Sequence, residues 1–193
     1  MLNNFDVIIL AAGLGKRFGC PKIRAKIKDT YFLDYISSLY EISVAKLVVT
    51  NIIDYNFALK HFKSYHLAIN QNVELGMLYS LQKGIEISSA EYSIIHPIDF
   101  LFVKAETINN LILQYKSDYD IIKPIYNNKG GHPIVINSKV KGSVLQIRDY
   151  TLKLNDILKN PNFKTHLLQT DDSGILFNVN TVEDLKNGIN IYL

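Results

Sequence analysis

Thiol chemistry is almost absent from this chain: Cys20 is its one cysteine among 193 residues. An internal disulfide is impossible, a thiolate zinc cluster lacks ligands, and a reducing, cytoplasmic setting is expected. Charge of one sign is scarce too. The formal net charge is +3, and the lysines are scattered rather than clustered, so neither nucleic acid nor a membrane surface is expected as a partner. Long apolar runs are missing as well. The first, Val7-Ile8-Ile9-Leu10-Ala11-Ala12, follows Asp6 without a basic leader and is far too short to span a bilayer. It reads as a buried strand.

What is present suits one compact domain over residues 1–193, with 48% hydrophobic and 20% charged residues. Short runs of Val, Ile, Leu and Tyr alternate with helix-length stretches, the pattern of a largely parallel sheet. Strands are predicted at 5–12, 45–50, 65–69, 92–98, 120–125, 132–137, 164–169 and 174–179. Helical spacing links Phe32, Leu33, Ile36 and Leu39, then Met77, Leu81 and Ile85, then Ile108, Leu111 and Ile112. A last helix is expected from Thr181, with Glu183 and Asp184 in its first turn. Asn127-Asn128-Lys129-Gly130-Gly131 reads as a turn. The expected fold class is α/β: a three-layer α/β/α, doubly wound, Rossmann-like domain with a mostly parallel sheet.

In such sheets ligands bind beyond the carboxyl ends of the strands. The segment after the first strand is Leu10-Ala11-Ala12-Gly13-Leu14-Gly15-Lys16-Arg17-Phe18-Gly19-Cys20-Pro21-Lys22. Its glycines let backbone N–H groups converge on phosphate oxygens, and Arg17 and Lys22 add fixed positive charge. Glycines alone are equally compatible with an ordinary turn. The spacing is not that of a dinucleotide fingerprint, and the Gly-Lys-Ser/Thr of a P-loop is missing.

The whole string resembles the opening motif of the nucleotidyltransferase superfamily, L-A-A-G-x-G-x-R-x-G-x-P-K, with every fixed position present. The resemblance implies a nucleotide-diphospho-sugar transferase-like fold, with Leu10, Ala11, Ala12, Gly13, Leu14 and Gly15 around the nucleotide. It places Arg17 at the β- and γ-phosphates and Lys22 at the α-phosphate.

Later segments resemble the molybdenum-cofactor branch, the enzymes that attach CMP or GMP to molybdopterin. Asn70, Gly76 and Ser80 match its second nucleotide segment, although a capped amphipathic helix would look the same. Asp99, in Pro97-Ile98-Asp99, stands where the family binds Mg²⁺, a hard cation suited to carboxylates; a helix-capping aspartate is the bland alternative. Ile98 and Leu101 depart from the family pattern there. Gly131-His132-Pro133 resembles the element beneath the acceptor site, so His132 is a candidate acceptor contact or a structural hydrogen bonder; His96 reads as packing.

Asn178 and Asn180 match the closing motif and are candidate metal ligands, on one face of the strand predicted at 174–179. Asparagines here occur in the guanylyl enzymes, whereas Ala11-Ala12-Gly13 follows the cytidylyl pattern, and CTP is favoured over GTP. Asn51 matches a guanine contact loosely, or is a turn residue. The implied enzyme uses Mg²⁺ to move a nucleoside monophosphate from a triphosphate to a phosphorylated acceptor. Sugar-phosphate and amino-alcohol-phosphate nucleotidyltransferases share the first loop, and a regulatory protein that only binds nucleotide remains the non-enzyme alternative.

Overall fold

A computed structural model describes residues 4–41, 44–114 and 118–193. Its centre is β1 (Phe5–Leu10), buried along its whole length. Val7, Ile9 and Ala11 enter one apolar core, while Ile8, Leu10 and Ala12 enter a second on the opposite face. That period-two division is what a strand covered on both sides requires.

The remaining strands are β2 (Lys26–Ile27), β3 (Thr30–Tyr31), β4 (Ala45–Asn51), β5 (His66–Asn70), β6 (Tyr92–Pro97), β7 (Ile121–Tyr126), β8 (Lys129–Gly130), β9 (Ile134–Asn137) and β10 (Thr165–Gln169). The main sheet runs β10–β7–β9–β6–β1–β4–β5, with β8 on β7, and β2 and β3 form a separate hairpin. β1 pairs in parallel with β4 and β6, β4 with β5, and β10 with β7. β9 alone of the long strands is reversed, antiparallel to both β6 and β7. The turn feeding it is Asn127-Asn128, both with positive φ, the conformation a two-residue hairpin needs and asparagine tolerates.

Helices cover both faces. α1 (Phe32–Ser37), α2 (Tyr55–His61), α4 (Ala105–Leu113) and α7 (Val182–Tyr192) pack on the first core. α3 (Gly76–Glu86), α5 (Ser138–Gln146) and α6 (Leu154–Leu158) pack on the second. Thr181 caps α7 in a reciprocal box with Asp184, as its sequence implies. No helix among the described residues is long and apolar enough to cross a membrane.

One predicted strand is not there. Residues 174–179 begin in a 3-10 turn, Ser173–Leu176, because the Asp172 carboxylate accepts the Gly174 N–H and curls the chain. The segment then gives single bonds to different neighbours: His132 N–H donates to the Ile175 carbonyl at 3.0 Å, and Val179 N–H donates to the Asp99 carbonyl at 2.8 Å. Isolated bonds to two partners do not make a ladder.

From β1 the chain proceeds to β4 and β5 on one side, then returns to place β6 on the other. The carboxyl ends of β1 and β6 therefore flank the point where the winding reverses, where a crevice opens in doubly wound sheets.

Candidate active site

The loop leaving β1 folds back on itself. Gly15 has φ +63°, and a Cβ there would sit 1.8 Å from the Cys20 carbonyl oxygen, so no other residue fits without moving backbone. The Gly15 carbonyl accepts the N–H groups of Phe18 and Gly19, both at 2.9 Å. Phe18 is buried edge-on against Phe32, ring centroids 5.6 Å apart, which pins the middle of the loop to α1. Pro21 then introduces a 3-10 turn over Lys22–Arg24.

Two further segments meet this loop. Ile98 N–H donates to the Leu10 carbonyl at 3.1 Å, which carries Asp99 into the crevice beside β1. The bond from Val179 N–H to the Asp99 carbonyl, together with Asp184 accepting the Asn180 N–H at 2.9 Å, brings Asn180 to the same point. There Lys22 Nζ donates to Asp99 Oδ2 at 3.1 Å and to Asn180 Oδ1 at 3.4 Å, and Arg17 Nη2 donates to that same Asn180 oxygen at 2.9 Å. The Lys22 and Asp99 side chains are 14% and 22% exposed: shielded enough for charge to count, open enough to be reached.

These groups line a cavity of about 340 Å³ that also includes Gly13, Asn70, Gly76 and Ser80. Asn70 is locked in place: its Nδ2 donates to Ser80 Oγ at 2.8 Å and its Oδ1 accepts the Asn72 N–H at 2.8 Å. A buried network braces the loop from behind. Asn51 Nδ2 donates to the Ala12 carbonyl at 3.2 Å and to Asp54 Oδ2 at 2.8 Å, while Arg24 Nε donates to Asp54 Oδ1 at 2.5 Å. Asp54, with no exposure, thus ties both ends of the loop to the end of β4.

His96 supports Asp99 from beneath. Its Nδ1 meets the Tyr40 hydroxyl at 2.6 Å and its Nε2 meets the Phe100 carbonyl at 2.8 Å. A neutral ring satisfies both, accepting from Tyr40 and donating to Phe100. Burial pushes its pKa down to about 4.

The donor set can be tested against a divalent cation. Asp99 and Asn180 present hard oxygens to one point, which the Lys22 ammonium shares. No group of three or more His, Cys, Asp or Glu side chains gathers there or elsewhere among the described residues. That fits an ion such as Mg²⁺ that takes one or two protein oxygens and completes its shell with water and substrate phosphates. It does not fit a resident structural metal.

A family model described as the MobA-like NTP transferase domain matches residues 7–165. The chain belongs to this family. A probable molybdenum cofactor guanylyltransferase of Bacillus mycoides (strain KBAB4) is 28% identical over 124 residues, 63% of this chain and 62% of that protein. The match thus spans somewhat less than two thirds of that relative's length. Molybdopterin-guanine dinucleotide biosynthesis protein A from Archaeoglobus fulgidus superposes with a TM-score of 0.76 at 16% identity, over 96% of this chain and 97% of that one. A manganese complex of Rv0371c from Mycobacterium tuberculosis superposes with a TM-score of 0.77 at 15% identity, over 97% and 99%. At these identities the solved structures establish the fold.

Within this member of the MobA-like family the predicted residues separate. Leu10, Ala12, Gly13, Gly15, Arg17, Lys22, Asn70, Gly76, Ser80, Asp99 and Asn180 line the one cavity. Ala11 points into the core behind it, and Leu14 is half-buried off the wall. Asn51 is fully buried with its amide engaged by Ala12 and Asp54, so it holds the loop rather than lining the cavity. Asn178 is exposed and outside the cavity, because the segment is not the strand that would have put it on the Asn180 face. His132 lies in a neighbouring cavity, with burial lowering its pKa to about 4. Ile98 lines the first cavity, whereas Leu101 is wholly in the core. Sequence reading missed Asp54 and Arg24, whose pairing joins positions 30 residues apart.

Proposed function

We propose that this nucleotidyltransferase moves a nucleoside monophosphate from a triphosphate to the phosphate monoester of molybdopterin, releasing pyrophosphate. The observation that carries the reading is the convergence of Lys22, Asp99 and Asn180 on one point of the cavity at the end of β1. A phosphate monoester is already anionic near neutral pH. One of its oxygens attacks the α-phosphorus in line, the new P–O bond forms as the bond to the β-phosphate oxygen breaks, and pyrophosphate carries away the electron pair. No strong base is required.

Lys22 and Arg17 supply fixed charge where negative charge spreads onto the α-oxygens and the leaving group. Gly13 and Gly15 admit the triphosphate close to backbone. Asp99 and Asn180 are the residues that would hold Mg²⁺, whose chemistry is to neutralise and orient the phosphate oxygens. The manganese complex of a protein of the same fold is consistent with a divalent-ion requirement. Lys22, which donates to Asp99 in the free protein, would turn that donor to the triphosphate once Asp99 serves a metal.

For the base, the Ala11-Ala12-Gly13 pattern favours CTP, but Asn180 in the closing segment and the relative named as a guanylyltransferase weigh for GTP. We place GTP first. The test is incubation with Mg²⁺, molybdopterin and each of the four triphosphates, measuring pyrophosphate and nucleotide product. GTP-dependent product is expected; absence of product with every triphosphate would reject the reading.

A further inference from the structure

We infer that a second cavity beside the first holds the far end of the acceptor, and that Lys123 is its anchor for a negatively charged or acceptor-rich group. The inference rests on the transfer reaction proposed above. This cavity, about 430 Å³, shares Gly76 and Met77 of its wall with the first, at the start of α3, so the two lie side by side. Its wall carries Lys123, Lys153, His132 and Tyr150 and no carboxylate.

Lys123 differs from a solvated surface lysine. It sits in β7, half-buried, and its ammonium donates to Asn155 Oδ1 at 3.3 Å. Among the described residues no carboxylate pairs with it, and burial together with the nearby Lys159 disfavours its charge. A cation held against desolvation without a counter-charge is suited to binding an anion. Gly130 makes the room: a Cβ there would lie 2.3 Å from Lys123 Cε and 2.8 Å from Nζ. In the same wall His132 Nδ1 is buried with no hydrogen-bond partner among the described residues.

The position of Lys123 also bears on size. β7 is two strands away from β6, with β9 between them, and the register sets Lys123 level with Ile95, four residues before Asp99; the backbone positions are therefore further apart than the roughly 10 Å of two strand spacings. The acceptor is thus an extended molecule whose remote end carries oxygen or other hydrogen-bond acceptors.

Steady-state kinetics with molybdopterin as the varied substrate, on the full chain with Mg²⁺ and saturating triphosphate, test this. Lys123→Met, which keeps the stem over Gly130, is expected to raise the acceptor KM about tenfold or more, the scale of one lost charge-assisted bond. kcat and the triphosphate KM should stay within about twofold. Lys123→Arg should recover much of the loss, and Gly130→Ala, which displaces the lysine tip while keeping its charge, should fall between. An unchanged acceptor KM in Lys123→Met would overturn the inference while leaving the transfer reaction standing. Direct binding of molybdopterin, followed by its fluorescence without nucleotide, separates the remaining cases. Weaker binding by Lys123→Met supports the subsite, equal binding overturns it alone, and no binding even by the unaltered protein overturns both the acceptor assignment and this inference.

Discussion

β1 and β6 have shielded charge at both ends, and the two ends have opposite characters. At the amino end Asp6 accepts from Ser88 Oγ at 2.6 Å, and Lys141 Nζ donates to Ser88 Oγ at 3.1 Å, to Ser93 Oγ at 3.3 Å and to the Ala90 carbonyl. Asp6, Ser93 and Lys141 are all buried there. At the carboxyl end Lys22 holds only Asp99 and Asn180, beside a cavity. One lysine has its donors filled by the protein; the other keeps capacity for something else. A shielded lysine alone therefore says little about function, and what discriminates these two is whether the protein fills the ammonium's own donors.

The largest effect that can break this contrast is on catalysis. Lys22→Ala and Asp99→Ala should each lower turnover by about two to three orders of magnitude, the scale of losing one charge-stabilising group. Thermal melting should confirm folded proteins in both cases. Wild-type-like turnover in either would erase the distinction between the two ends.

Next comes the pH dependence of stability. The folded-state pKa of His96 is about 4, below its ordinary 6.5, because burial disfavours the cation. The unfolded chain therefore takes up the proton first as pH falls. The stability this residue contributes is complete above about pH 6.5 and is lost progressively toward pH 4, by about 3 kcal/mol in all. Urea titrations between pH 7 and 4 should show the decline, and His96→Gln should make it shallower. An unchanged slope would mean that His96 does not titrate as its burial requires.

A smaller effect is expected at the amino end. Lys141→Met removes three hydrogen bonds and should cost about 1–3 kcal/mol of stability, with turnover at saturating substrate unchanged. A loss of turnover without a loss of stability would move that lysine into the functional class. Cys20→Ala should be nearly silent in both measurements: the thiol is half-buried against the core and lies in the loop without an evident base. A large activity loss would show that proximity to the cavity does confer a role on it.

How much of this was legible in the residues follows from how local each signal is. β1, β4 and β6 announce themselves as apolar runs, and Lys22 and Arg17 stand in one contiguous string whose full spacing, more than its glycines, marks the loop. α2 was not legible: Ala58 is its one fully buried residue and Leu59 is exposed, so no apolar stripe marks it. α5 hid its inward face because Lys141 occupies it. The segment at 174–179 carries a short apolar run like a strand, but the Asp172 cap and the close approach of Gly174 to the Phe102 carbonyl bend it away from one. Asp54 and Lys123 have no local signature at all. Asp54 acquires meaning when the fold brings it to Arg24, 30 residues away, and Lys123 when the β7–β8 hairpin folds Gly130 back beside it.

The reversed direction of β9 has an evolutionary corollary. Since its beginning, rather than its end, opens on the side of the two cavities, the hairpin at Asn127-Asn128 lies next to the Gly130-Gly131 wall of the second, outside the parallel half that carries the first loop. Lengthening or rewriting so short a turn costs little in closure entropy. New acceptors can be sampled there while the inherited chemistry goes undisturbed.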